Sequence, residues 1–372
     1  MIPEESARSF FDRQASGFLE RKASGFFERQ TSGFFEREAS GGSGTRGLER
    51  RVSPSFEQWF QRDVDLAKSS NYRTGGVARW FIQPTVEQDF VDAIEFARRE
   101  NLPWFVIGGG TNTLIQDEVF EGVVISTKKY EARAVGGFGL IHALAGTTLR
   151  TLIGASITAG LEGLETFIGI PGTIGGAVWG NAGGPGGGIA PLVESMRVLE
   201  PDGTIRWIPG AKLPWAYRSS GLADRTVLEV RLRLAAGFRK DELRARALDL
   251  YDQKKRTQPL HARSAGCVFR NPPGDRAGRL IEAAGCKGKQ LGGARVSDRH
   301  ANFIVNEGGA TAAEITRLIE EVRLSVANQF GIWLRREIIV AGVSSGGTAS
   351  DPSSGPPRAA ADEPQARDGA DR

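Results

Sequence analysis

Seven of the sixteen residues from Gly169 to Gly184 are glycine, in the run Gly169-Ile170-Pro171-Gly172-Thr173-Ile174-Gly175-Gly176-Ala177-Val178-Trp179-Gly180-Asn181-Ala182-Gly183-Gly184. Ordering glycine costs more backbone entropy than ordering any other residue, so a plain connector would not be built this way. A second glycine segment, Gly108-Gly109-Gly110-Thr111-Asn112-Thr113-Leu114, lies about sixty residues earlier and directly follows the strand-like run Leu102-Pro103-Trp104-Phe105-Val106-Ile107. Glycines after a buried strand let successive N–H groups turn toward an anion, and a diphosphate suits that arrangement. This first loop is not a Rossmann fingerprint, which would require glycine in place of Thr113 and an amphipathic helix after it. Taken singly, it could equally be a tight turn. Two such loops beside strands suggest a large, flat, phosphate-bearing cofactor held mainly by main chain.

The rest of the chain narrows the class. Its 372 residues allow two domains, and 40% apolar with 25% charged residues are ordinary globular values. The net charge is only +4, and the part expected to fold has no dense Lys/Arg cluster with interleaved aromatics, which argues against a nucleic-acid partner. Cys267 and Cys286 form neither a CxxC pair nor a zinc spacing, so no disulfide framework or metal site is expected and a reducing cytoplasm is the natural compartment. No apolar window reaches the ~18 residues of a membrane span.

Composition divides the chain at its ends. Residues 1–44 carry an octapeptide repeat, beginning Ser9-Phe10-Phe11-Asp12-Arg13-Gln14-Ala15-Ser16, with further copies from Gly17, Gly25 and Gly33. A period of eight matches neither a helical turn nor a heptad, which predicts an unfolded arm. Residues 45–68 read as a linker or helix. Residues 343–372, rich in Ser, Gly, Pro, Ala and Asp, read as a disordered tail. Between them the apolar spacing predicts a helix over 86–99, with acids early and arginines late. Strands are expected at 122–126, 196–199, 226–234, 301–305 and 338–340, and a long amphipathic helix over 310–330. Strands and helices mix without strict alternation, so the fold class is α+β.

Ser264-Ala265-Gly266-Cys267-Val268-Phe269-Arg270-Asn271-Pro272 sets one cysteine in a glycine-flanked turn among basic and amide residues. From the residues alone it is a packed small hydrophobe, a nucleophile or a proton donor.

Motif by motif, the chain resembles one family. Gly108–Leu114 is similar to the pyrophosphate loop of vanillyl-alcohol-oxidase/PCMH-type FAD domains. Ile170–Gly176 with Asn181-Ala182-Gly183 resembles one branch of these, the UDP-N-acetylenolpyruvoylglucosamine reductases of peptidoglycan precursor synthesis. Tyr217-Arg218-Ser219-Ser220, Gln258-Pro259, Ser264–Pro272, His300–Asn306 and Leu334 with Glu337 follow in the family order, so the resemblance covers residues 69–342.

It implies an FAD-binding domain over 69–235 and a smaller α+β substrate-binding domain over 236–342, between disordered termini. It also implies a soluble, monomeric, cytoplasmic enzyme that takes hydride from NADPH through FAD to UDP-N-acetylglucosamine enolpyruvate. Cys267 then occupies the proton-donor position, where much of the family has serine and part has cysteine; a thiol is protonated at neutral pH and can serve. Arg218 matches the catalytic arginine, whose guanidinium can fork onto the substrate carboxylate, and Glu337 matches the catalytic glutamate. The chain departs from the family in having Arg335-Arg336 where Glu-Pro is usual.

The cofactor contacts implied are Arg73, Gly108, Gly109, Gly110, Thr111, Asn112, Leu114, Ile170, Pro171, Gly172, Gly175, Gly176, Asn181, Ala182 and Gly183. The substrate contacts are Tyr217, Arg256, Gln258, Asn271 and His300. Two other readings compete. One is a related FAD-dependent alcohol or lactone oxidoreductase, a class that often carries a flavin-linking histidine in the first glycine loop; this chain has no histidine before His142. The other is a degenerate flavoprotein serving as a scaffold, against which the three matched catalytic residues stand.

Overall fold

In the computed structural model the described residues are 60–184 and 186–342. The octapeptide arm and the C-terminal tail lie outside them, as does most of the 45–68 segment.

The first sheet contains β1 (Gln61–Asp65), β2 (Val77–Ile82), β3 (Trp104–Ile107) and, beyond β4 (Thr113–Ile115), the longer β5 (Phe120–Ser126), in the order β1-β2-β5-β3. The 45–68 segment is corrected here: residues 61–65 are a strand, antiparallel to β2 in a register that pairs Gln61 with Phe81 and Asp65 with Val77. Strands β2 and β3 both run parallel to β5. That arrangement requires a covering crossover, supplied by helix α1 (Glu87–Arg99). Asp89 accepts from the backbone N–H groups of Thr85 at 2.7 Å and Val86 at 3.1 Å, which anchors its first turn. Phe90, Ala93, Ile94 and Ala97 repeat at helical spacing and bury that face.

A second, antiparallel sheet has the order β9-β8-β10-β7-β6. It consists of β6 (Arg133–Val135), β7 (Leu140–Leu144), β8 (Val193–Leu199), β9 (Ile205–Pro209) and β10 (Thr226–Arg233). Helices α2 (Leu149–Thr158) and α3 (Ile174–Trp179) join it in the largest apolar core. Helix α3 lies inside the glycine-dense run, which is therefore not all loop. Thr173 accepts from Gly176 N at 3.4 Å to start it, and Gly175 packs so tightly on Ala145 that a methyl there would lie 2.8 Å from the Ala145 side chain.

Helix α4 (Lys240–Thr257) leads into a third core built from α5 (Ala277–Ala283), the small sheet β11 (Gln290–Leu291), β12 (Ala294–Val296) and β13 (Ile304–Asn306), and α6 (Ala312–Phe330). Helix α6 opens with a capping box between Thr311 and Glu314 and ends at Gly331, whose φ of 69° closes the last turn. Its row of Ile315, Leu318, Ile319, Val322 and Val326 is buried, each side chain contributing on the order of 1.5–3 kcal/mol. The last strand, β14 (Ile339–Ala341), returns to pair in parallel with β4, directly after the first glycine loop. Tyr72, fully buried, belongs to this third core together with Leu114. Among the described residues no helix is long and apolar enough to cross a membrane.

Candidate active site

The two glycine loops meet. A methyl added at Gly109 would lie 3.0 Å from the Cα of Gly172, and Thr111 Oγ1 donates to the Pro171 carbonyl at 3.3 Å. Gly110 has a φ of 64° and no room for a side chain against the Ser69 carbonyl, while its own carbonyl accepts from Asn71 N at 3.0 Å. Three segments distant in sequence thus touch through main chain, as the glycine content predicts.

Polar groups nearby lack partners. Strand β3 stays in register with β5 as far as Ile107 and Ser126 and then opens into Gly108. The side-chain oxygens of Ser126 and Thr127, at that opening, are buried with no hydrogen-bond partner, as is that of Thr74. Buried hydroxyls are normally satisfied, so these are suited to a ligand. Desolvation and then the Arg73 cation push the Lys128 ammonium below its ordinary value; an anion between the two would relieve that repulsion. The residues present fit a diphosphate-bearing dinucleotide such as FAD.

The three residues expected to carry chemistry are spread over more than a hundred positions and come together. Residues 267–270 run between two other segments. On one side Cys267 bridges Phe303 and Val268 N donates to Asn302 O at 2.8 Å. On the other, Glu337 N donates to Val268 O at 2.7 Å and Arg270 N to Arg335 O at 2.9 Å. The Glu337 carboxylate sits 2.6 Å from Arg218 Nε. That N–H has no acceptor at hydrogen-bonding geometry, so the contact is a close ion pair with a poorly aimed donor. Arg218 Nη1 donates to the Gly183 carbonyl at 3.0 Å, and Asn112 Nδ2 to the Glu337 carbonyl at 3.2 Å. Each glycine loop therefore holds one member of the ion pair. Arg218 itself has a φ of 58°, a conformation that a side chain adopts only when its surroundings fix it.

The electrostatics follow from burial. Glu337 is raised by desolvation, against which the Arg218 and Arg270 cations pull. Desolvation first, and the Glu337 charge second, push the Cys267 thiol up to about 12, with Arg218 and Asn302 opposing. The thiol is therefore protonated throughout the physiological range, a state suited to giving a proton and unsuited to nucleophilic attack.

The remaining expected residues are placed unevenly. Tyr217 is exposed, with the Arg218 guanidinium 5.2 Å above its ring. Asn271 Oδ1 accepts from Ala277 N at 3.0 Å and so starts helix α5. His300 Nδ1 accepts from Asn302 N at 3.3 Å, and burial lowers its pKa. Gln258 closes helix α4, and Arg256 is exposed on its last turn beside Lys255 and Arg299. Arg73 is exposed with a φ of 60°. Asn181 differs from expectation in what its side chain does: Nδ2 donates to Ala216 O at 2.8 Å and Oδ1 accepts from Ala190 N at 3.2 Å, bracing the turn that carries Arg218. Leu114 and Gly175 are buried in packing, so they shape the site from behind; half-buried Ile170 and Ala182 pack on the largest core.

Sequence reasoning missed three groups. Lys254 Nζ donates to Ile168 O at 2.7 Å beside the second loop, and desolvation lowers it to about 8. The orphan hydroxyls carry no sequence signal. Asn302 stood inside a recognised motif without a role.

Residues 78–209 match the FAD binding domain model, and residues 258–341 match the model described as UDP-N-acetylenolpyruvoylglucosamine reductase, C-terminal domain. The UDP-N-acetylenolpyruvoylglucosamine reductase of Synechococcus sp. (strain RCC307) is 41% identical over 283 residues, 75% of this chain and 93% of that protein. That of Gloeobacter violaceus is 40% identical over 281 residues, 75% of this chain and 95% of that one. The chain belongs to the UDP-N-acetylenolpyruvoylglucosamine reductase family. The crystal structure of the Thermus caldophilus reductase matches this reductase with a TM-score of 0.65 and 33% identity, over 76% of this chain and 99% of that one. Membership makes the chain an FAD-dependent oxidoreductase of peptidoglycan precursor synthesis, with a PCMH-type FAD-binding domain joined to the family's C-terminal domain.

Proposed function

We propose that this reductase converts UDP-N-acetylglucosamine enolpyruvate to UDP-N-acetylmuramate with NADPH as reductant. The observation that carries this reading is that the two glycine loops hold the Arg218–Glu337 ion pair while the Glu337 N–H grips the segment that carries Cys267. When bound, FAD, held by Arg73 and the glycine loops, would supply the hydride for C3 of the enolpyruvyl ether, with NADPH as its source. The protein must then hold negative charge at C2 and the carboxylate conjugated with it, and deliver one proton to C2.

Arg218 has the charge and the fork to bind that carboxylate and stabilise the enolate. Its ion pair with Glu337 and its bond to Gly183 O fix the guanidinium before substrate arrives. Cys267 gives the proton from Sγ to C2, and the resulting thiolate regains one from solvent. Glu337, raised by burial, keeps Arg218 oriented and can hydrogen-bond the enol form. Tyr217, Asn271 Nδ2, His300, Gln258 and Arg256 are left to the nucleotide and sugar, and Arg73 with the glycine loops to the flavin dinucleotide.

The test is purification with flavin bound, followed by NADPH oxidation with and without UDP-N-acetylglucosamine enolpyruvate. Substrate-dependent oxidation is expected. A flavin-loaded sample that oxidises NADPH no faster with substrate overturns the proposal.

A further inference from the structure

We infer that Asn302 is the positioning residue for Cys267, clamping the short extended segment that carries the thiol. This rests on the reading of Cys267 as proton donor and adds what aims it. Asn302 is 3% exposed, and each of its polar groups is engaged. Its Oδ1 accepts from Phe269 N at 2.9 Å and its Nδ2 donates to Phe269 O at 2.8 Å. Its main-chain carbonyl accepts from Val268 N at 2.8 Å, and its main-chain N–H donates to His300 Nδ1 at 3.3 Å.

One carboxamide thus satisfies both peptide groups of Phe269, two residues beyond the thiol and past the point where the neighbouring segment bridges Cys267 at Phe303. A residue needed only to fill that space would be apolar, because a buried amide is costly unless both ends are matched. Here both ends are matched on the segment that carries Sγ, and Glu337 N grips the same segment from the opposite side through Val268 O. Rotation of residues 267–269 about their axis is blocked from two directions. The thiol direction is fixed as a consequence, and transfer between positioned groups is sensitive to misplacements of about 1 Å.

The charged and titratable groups around the clamp are Cys267 and Arg270 on the held segment, His300 on Asn302's own loop, and Glu337 with Arg218 across from it. Asn302→Asp tests the idea in this setting. An ionised Asp still accepts from Phe269 N but cannot donate to Phe269 O, whereas a protonated Asp can do both. Reduced enzyme would be mixed with UDP-N-acetylglucosamine enolpyruvate and flavin reoxidation followed. Relative to wild type at each pH, the variant should be slower by on the order of tenfold to a hundredfold at about pH 8 and recover toward about pH 6, where a buried Asp takes up its proton.

Flavin reduction by NADPH should keep its rate at both pH values. Amide exchange in flavin-free protein gives a readout independent of turnover: residues 264–272 should lose protection in Asn302→Ala while helix α6 keeps it. Equal slowing of both half-reactions, or a pH-independent oxidative half-reaction at wild-type rate, overturns the inference. Cys267→Ala separates the two claims. If it keeps the oxidative half-reaction, the donor assignment fails whatever Asn302 does. If it abolishes that step while Asn302→Asp leaves it intact, only the positioning role fails.

Discussion

Burial of Cys267 makes a prediction that alkylation can check before any substrate is used. Desolvation and the Glu337 charge move the thiol from an ordinary 9.0 up to about 12. At any pH below both values the thiolate is then about a thousandfold scarcer than for a free cysteine. A thiolate of higher pKa is more nucleophilic, by a Brønsted slope of ~0.4–0.5, which returns roughly 15- to 30-fold. The net expectation is iodoacetamide labelling roughly 30- to 60-fold slower than a model thiol at neutral pH, before any cost of access. Poor access would slow labelling by one factor at every pH, whereas the shifted pKa moves the plateau. Rates mapped to the Cys267 peptide by mass spectrometry should therefore still be rising tenfold per unit at about pH 10, where an ordinary thiol has levelled off. A plateau near the ordinary value would refute the argument from burial. Linkage gives the same sign. A raised acid leaves stability untouched below the unfolded-state pKa and costs it as pH climbs from 9.0 toward about 12, by up to ~4 kcal/mol before solvent screening. Cys267→Ser should lose that alkaline destabilisation.

The other expectations follow from the same geometry. Arg218→Gln should lower turnover by ~100-fold or more while flavin content is kept, and Arg218→Lys should rescue little because an ammonium lacks the fork; full activity in the lysine variant counts against the bidentate role. Glu337 is raised by burial, so the folded state holds its proton more tightly than the unfolded chain. Its contribution is absent below the ordinary carboxylate value and becomes a cost as pH rises through it toward the raised one. Melts of wild type and Glu337→Gln should diverge in that window, and parallel curves would contradict the sign. Gly110→Ala, strained at φ 64° and crowded by Ser69, should separate the loop from residues 69–71 and abolish flavin retention, read from the visible spectrum; a fully yellow variant counts against the close approach. Thr311→Ala removes the cap of α6, costing ~1 kcal/mol and ~2–4 °C in melting temperature with turnover unchanged.

Much of the fold was legible because local signals agreed with one another. Acids at Glu87 and Asp89, arginines at 98 and 99, and apolar residues at helical spacing all describe α1, and Thr311, Glu314 and Gly331 bracket α6 in the same way. Helix α3 was missed because glycine-rich sequence reads as loop, although Gly175 is what allows a helix to lie against Ala145. Helix α4 was not read from the sequence although Leu243, Ala247, Leu250 and Tyr251 stand at helical spacing and pack on the largest core; the charged residues that fill its other faces lower its mean hydropathy and obscure that stripe. The two-residue strand β11 is too short to show an alternating pattern and is defined only by its pairing with β12.

At the site, the family resemblance pointed to Arg218, Cys267 and Glu337, while tertiary structure determines how they sit relative to one another. Arg335 and Arg336, the departure beside Glu337, illustrate the difference. Arg335 contributes its carbonyl to Arg270 N, and Arg336 its place opposite Phe269. These are main-chain roles that most side chains permit, so the usual Glu-Pro is not required for them. What puts Glu337 in reach of Arg218 is instead the return of β14 to β4 and the Asn112 bond to its carbonyl. The glycine loop thus locates the carboxylate as well as leaving room for a cofactor. That makes flavin loading and the ion pair mechanically linked: a substitution that parts β4 from β14 should weaken both, while one that removes only the Glu337 carboxylate should spare the flavin.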